Sequence, residues 1–254
     1  MVLFFIENLI AVLLSGICIE DKTRFVESLY GAFDNSGLSV YEDFLSRRTL
    51  MKYFITFMTQ QNRLDDKDYK NVDNVERLEN DFKTSFPILI PMSNTCSEGE
   101  KVKITVINTN DPNGNGKKNY QKFLSQLEER AKIVGFSYQI KDIEVEFEEN
   151  SAKQMKLFED IIDTFKENDV IIGDITYGNK PSPIVLLMAL SYADRFCKNT
   201  FVDMLVYGGV SHGEVENCFI SDVTSLFYMN SIINRLSFME PSDPLSTIKK
   251  MIKR

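Results

Sequence analysis

The sequence predicts an α/β fold, a mostly parallel sheet with helices on both faces, preceded by an α-helical N-terminal region. Three observations predict it. From about residue 86 onward, β-branched runs alternate with amphipathic stretches, the pattern of parallel strands joined by crossover helices. One apolar run, Val170-Ile171-Ile172, passes through a small and polar turn directly into the helical stretch Ile184 to Phe196. Upstream, apolar residues recur at helical spacing. The expected organisation is a helical region over residues 1–84 and an α/β domain over residues 85–254.

Composition narrows the function. The chain has 254 residues, an apolar share of 43% and a net charge of −8. That balance argues against duplex nucleic acid as a partner, because such binding needs clustered Lys and Arg. Cys18, Cys96, Cys197 and Cys218 are scattered with no CxxC pair, which reads as reduced thiols and a cytoplasmic location. With the single histidine, His212, they make no zinc site, and no cofactor is expected. The N-terminal stretch MVLFFIENLIAVLLSGICI is interrupted by Glu7 and Asn8. Its longest clean run, Leu9 to Ile19, is too short to span a bilayer. It lacks a basic leader region as well, so a buried helix is expected and no membrane partner.

Taken in order, Leu9, Val12, Leu13 and Ile17 share one helical face, and Phe25, Leu29 and Phe33 a second. Asn35-Ser36-Gly37 is a turn. Val40 to Gln60 reads as another helix or pair through Phe44, Leu45, Leu50, Phe54, Ile55 and Met58. Arg63 to Asp73 reads as a charged loop and Val75 to Phe82 as a short helix. Phe86 to Pro91 is extended by composition, and Ser93 to Glu100 is a polar turn. Val102 to Ile107 alternates and predicts a strand, running into a loop over Asn108 to Gly116. A helix over Tyr120 to Val134, a strand over Ser137 to Phe147 and a helix over Ala152 to Phe165 follow. After the central strand and helix come strands at Phe201 to Tyr207 and Cys218 to Ile220, a helix at Thr224 to Leu236, and a basic tail, Lys249-Lys250 and Lys253-Arg254.

The turn Gly173-Asp174-Ile175-Thr176-Tyr177-Gly178-Asn179-Lys180 carries the chemistry. Open parallel sheets bind ligands beyond the carboxyl ends of their strands, where a new helix presents free N–H groups. Pro181 and Pro183 suit a first helical turn. Lys180 adds a positive charge, and Thr176 and Asn179 add donors, so the site reads as one for phosphate or another anion. As a plain turn, Lys180 is solvated and Asp174 caps the residues after it. Asn113 to Lys118, NGNGKK, lacks the P-loop spacing, and no G-x-G-x-x-G fingerprint is present. The acidic run Glu144 to Glu149 reads as a solvated strand edge, His212 as a loop residue, and Met188 with its apolar neighbours as core.

Asp174-Ile175-Thr176-Tyr177-Gly178-Asn179-Lys180 resembles the D-[IVL]-T-x-G-x-[KR] turn of CARF domains, the CRISPR-associated Rossmann-fold sensors. Val206-Tyr207-Gly208-Gly209 is similar to that family's "YGA"-like strand end, and Asp222-Val223-Thr224-Ser225-Leu226 to its "DLT-x-L" segment. The resemblance covers about residues 100 to 238 and implies a Rossmann-like, CARF-like sheet. It implies binding of cyclic oligoadenylate by a homodimer, in the antiviral defence of type III CRISPR systems. The ligand-binding residues it points to are Thr176, Tyr177, Gly178, Asn179 and Lys180. Ser93, Asn94 and Thr95, then Asn108, Thr109 and Asn110, and Gly208 and Gly209, join them from loops after other strands. Two features depart from the family pattern: the first strand's loop lacks the usual glycine pattern, and some 85 residues precede that strand. No HEPN ribonuclease motif is present, since no Arg precedes His212 at the required spacing.

Three functions follow. The first is a cyclic oligoadenylate sensor signalling through its N-terminal region or a separate effector subunit. The second is a metal-independent ring nuclease, in which the ligand's 2′-OH attacks the adjacent phosphate while Lys180 stabilises charge and Thr176 or Ser93 orients the sugar. The third is a generic Rossmann-like domain for a nucleotide or small anion. A cyclic ligand matches two copies of one site around a two-fold axis, with Ile184 to Phe196 and Thr224 to Leu236 supplying interface.

Overall fold

The computed structural model describes residues 50–146, 150–211, 217–239 and 242–252. The helices expected over residues 1–49, and with them Cys18, His212, Glu148, Glu149, Lys253 and Arg254, lie outside the described residues. In chain order the strands are β1 (Met51–Phe57), β2 (Tyr69–Asn71), β3 (Lys101–Asn110), β4 (Ser137–Glu146), β5 (Asp169–Asp174), β6 (Phe201–Ser211) and β7 (Asn217–Asp222). The helices are α1 (Leu89–Thr95), α2 (Asn115–Val134), α3 (Ser151–Ile162), α4 (Ser182–Phe196), α5 (Thr224–Met239) and α6 (Pro244–Ile252). The strands form one sheet in the order β2-β7-β6-β5-β1-β3-β4. Every neighbouring pair is parallel except β6 with β7. This is the α/β, Rossmann-like arrangement.

β1 is an interior strand of the sheet, hydrogen-bonded to β3 on one side and β5 on the other. Its sequence, MKYFITF, falls inside the stretch Val40 to Gln60 expected to be helical. Leu50, Phe54 and Met58 do repeat at helical spacing, but the run between them is β-branched and aromatic, which suits a strand covered on both faces. Tyr53, Ile55 and Phe57 point into one core and Phe54 into the other. The α/β unit therefore takes in residues upstream of 85, and the boundary expected at 84/85 falls inside it.

Other corrections are local. β2 occupies part of the expected loop Arg63 to Asp73, and only Glu76–Leu78 forms a turn of 3-10 helix where Val75 to Phe82 was expected to be helical. The stretch Phe86 to Pro91 is not extended: it enters α1, whose Leu89, Ile90, Pro91 and Met92 are all buried. Pro91 lies in the first turn, where it has no helical acceptor to lose. β6 continues through Gly208 and Gly209 to Ser211, and α2 begins at Asn115. The basic tail enters α6.

Two apolar layers enclose the sheet. α1 and α2 pack Leu89, Met92, Phe123 and Leu127 against Phe54, Ile104, Val106 and Met204. On the other face α3, α4 and α5 pack Leu157, Ile161, Leu186, Leu190 and Phe227 against Ile55, Ile171, Val202 and Leu205. Met188 does not belong to this core. It is 54% exposed, in a row on the outer side of α4 with Ile184 at 61%, Tyr192 at 36% and Phe196 at 73%. No helix among the described residues is long and apolar enough to cross a membrane.

Candidate ligand-binding site

From β1 the chain winds to β3 and β4 on one side of the sheet and to β5 and β6 on the other. The winding reverses between β1 and β5, and a crevice opens at such a point beyond the strand ends. The turn after β5 stands there. Its partner loop is the one after β1, Met58 to Gln61, since Thr56 and Asp174 are paired across the two strands.

Asp174 is 1% exposed. Its carboxylate accepts the Thr176 N–H at 2.8 Å and the Thr56 hydroxyl at 3.1 Å. Burial pushes this carboxyl above the ordinary aspartate value, and hydrogen bonds from Thr176, Thr56 and the Ile88 N–H offset only part of that. The residue caps the turn, as the plain reading expects. Ile175 then donates its N–H to the Val206 carbonyl at 3.0 Å, and the Thr176 hydroxyl accepts the Gly208 N–H at 2.7 Å. The side chain thus extends the β5–β6 ladder one bond past the end of β5.

The same device recurs on the other side of β6. Asp222 accepts the Thr224 N–H at 2.9 Å, Val223 donates to the Leu205 carbonyl at 2.8 Å, and the Thr224 hydroxyl accepts the Leu205 N–H at 2.8 Å. Asp-x-Thr in both segments closes a strand end against β6. Two of the three motifs that carry the CARF resemblance are therefore explained by backbone hydrogen bonding, with Asp-x-Thr as their shared part.

The remaining turn residues divide by direction. Tyr177 faces inward: its hydroxyl donates to the Ser85 carbonyl at 2.7 Å, and its ring meets Phe86 edge-on with centroids 6.4 Å apart. Gly178 has φ +104°, and a Cβ there would stand 3.0 Å from Ser182 and 3.1 Å from the Phe57 ring, so glycine is required. Asn179 accepts the Gln60 amide N–H at 3.0 Å and lines a cleft of about 250 Å3. Lys180 is exposed.

The start of α4 is less open than the sequence suggests. Pro181 and Pro183 have no N–H, Ser182 donates to the Asn179 carbonyl at 2.9 Å, and Ile184 donates to the Pro181 carbonyl at 3.0 Å. These four positions leave no unpaired backbone donor for an anion. The positive charge near the turn comes from side chains.

The cleft runs from Asn179, Ser182 and Val185 to Thr109 at the end of β3, Glu144 and Glu146 on β4, and Lys153, Lys156 and Asp160 on α3. Lys153 pairs with Glu146, and Lys156 with Asp160. Three carboxylates thus stand against two lysines, a lining that suits a polar ligand better than an anion.

The structure brings Asn179 and Thr109 together on this cleft, with Thr176, Gly178 and Lys180 in the adjoining turn. Asn108 and Thr109 are buried in the end of β3, and Asn110 is exposed; all three are strand rather than loop. Gly208 and Gly209 serve packing. A Cβ would meet Pro87 at 2.4 Å in the first case and the Phe219 ring at 2.3 Å in the second. Ser93, Asn94 and Thr95 lie at the other end of the sheet, because α1 runs back toward the start of β1. There the Thr95 carbonyl accepts from Lys52, and the Asn94 amide donates to the Arg77 and Glu79 carbonyls at 3.1 and 2.7 Å. Gln60 and the α3 lysines escaped the sequence reading. The loop after β1 was hidden by the helical reading of that strand, and Asn150, which caps α3 by accepting the Lys153 N–H at 3.0 Å, was the available signal for the other.

No protein-family model matches this chain, and no curated protein matches it.

Proposed function

We propose that the chain is a cytoplasmic sensor that binds cyclic oligoadenylate at the carboxyl ends of β1 and β5, in type III CRISPR antiviral defence. The observation that carries this reading is the placement of the Asp174-to-Lys180 turn at the reversal of strand winding, with Lys180 exposed beside a polar cleft. The choice of ligand rests on the CARF resemblance. Binding would engage two copies of the chain around a two-fold axis. The exposed row Ile184, Met188, Tyr192 and Phe196 begins four residues after Lys180, so pairing through α4 would set two Lys180 side chains near one ring. The signal would pass to the N-terminal region or to a separate effector. Isothermal titration with cyclic tri-, tetra- and hexa-adenylate tests it: heat from one of them, at one ligand per two chains, is expected. No heat from any of them overturns the reading.

The cleft lining carries one carboxylate more than it has lysines, which opposes a ring of phosphates more than a single phosphate group and favours a second reading, a Rossmann-like domain for an ordinary nucleotide. Binding of a mononucleotide with no binding of the cyclic ligands selects it.

A further inference from the structure

The loops after β1 and β5 are tied by a single side-chain bond, from the Gln60 amide N–H to the Asn179 amide oxygen at 3.0 Å. Each side-chain amide carries one donor group and one acceptor oxygen. One bond between two amides uses a donor from one and an acceptor from the other. It leaves the Asn179 NH2 and the Gln60 oxygen, and turning both amides over leaves the opposite pair. Either way one donor and one acceptor remain side by side. Both residues are half-buried, Asn179 in the cleft wall, and neither side-chain amide has a second partner among the described residues.

We propose that Gln60 and Asn179 together read the edge of a nucleobase, while Lys180 meets phosphate. A neutral donor beside a neutral acceptor is a poor phosphate site, since the acceptor faces the anion's oxygens. It complements a base edge, as Asn and Gln do with the N6 amine and ring nitrogen of adenine. The two amides also pre-orient each other, so less freedom is lost on binding than for two separate side chains. Their place at the winding reversal, one from each side, sets the base over the crevice. This assignment rests on the proposed ligand class.

The test is a titration of cyclic tetra-adenylate against the same ring built with purine riboside, which lacks the N6 amine. It is run on the full chain and on Gln60→Ala, Asn179→Ala and Lys180→Ala, each checked for an unchanged melting temperature. The unaltered chain is expected to prefer the adenine ring by about five- to a hundred-fold, the discrimination of a good bidentate base contact. Gln60→Ala and Asn179→Ala should each abolish that preference. Lys180→Ala should weaken both rings alike and keep it. Binding of both rings with equal affinity, or a preference that survives both amide substitutions, overturns the base-reading role and leaves the ligand class standing. Failure of both rings to bind the unaltered chain, with no heat from the tri- and hexa-adenylate rings either, overturns both.

Discussion

The Thr176 hydroxyl accepts the Gly208 N–H at 2.7 Å, the bond that holds the turn after β5 against β6. Gly208 is buried, so no water replaces the acceptor if it is removed. Thr176→Val keeps the shape and loses the oxygen. It should destabilise the protein by about 1–3 kcal/mol, the cost of a buried polar group left unpaired, and Thr224→Val on the other side of β6 should behave alike. Thr176→Ser should recover most of the loss. Urea denaturation checks this; a Val variant as stable as the parent contradicts it.

Asp174 gives a pH dependence of defined sign. Its carboxyl is pushed upward from 3.8 by burial. Between the ordinary value and the raised one, the folded protein holds a proton that the unfolded chain has released, so stability falls as pH rises through that window. Asp174→Asn keeps an oxygen for the Thr176 N–H and buries no charge. The variant should lose less stability than the parent between acid and neutral pH, measured as denaturation midpoints across the range. A steeper decline in the variant contradicts the assignment.

Tyr177 stands in the middle of the turn yet belongs to the core. Tyr177→Phe removes the hydroxyl that donates to Ser85 at 2.7 Å and should cost about 0.5–1.5 kcal/mol of stability. Ligand affinity should stay within two-fold of the parent, a range of about 0.4 kcal/mol by the same affinity arithmetic. A large affinity loss in a folded variant would move this ring into the site.

Lys180 should show the converse. Its side chain is exposed and fills no cavity, so Lys180→Ala should change stability by less than about 0.5 kcal/mol. Losing a charge-assisted bond to phosphate, worth about 1.5–3 kcal/mol, should weaken ligand binding about ten- to a hundred-fold. Calorimetric titration of the variant measures it, and unchanged affinity contradicts a phosphate contact.

Most strands and helices after residue 100 were legible because each carried its own period, as in VKITVI of β3 or the Phe123, Leu127 and Ala131 face of α2. β1 was not. A strand buried on both faces is a continuous apolar run, and such a run satisfies helical spacing by chance. That one error hid the loop bearing Gln60. The reading of Phe86 to Pro91 failed for another reason: Pro87 and Pro91 suggest extended chain, yet a proline near a helix start is no obstacle. Turn chemistry was half legible. Asp174 capping follows from residue type, but whether Thr176 faces ligand or strand depends on where β6 lies, and no local pattern carries that.

Among the described residues, β4 and β2 are the two outer strands of the sheet. β4 presents Lys141, Asp142, Glu144 and Glu146 along its length, and β2 is three residues long. An open rim of unpaired backbone groups is a template for a neighbouring chain. Here one rim is lined with charge that another strand would have to desolvate, and the other is too short to hold one. Association through the described sheet is thereby steered away from strand addition and toward its helical faces, which guards crowded chains against runaway sheet growth.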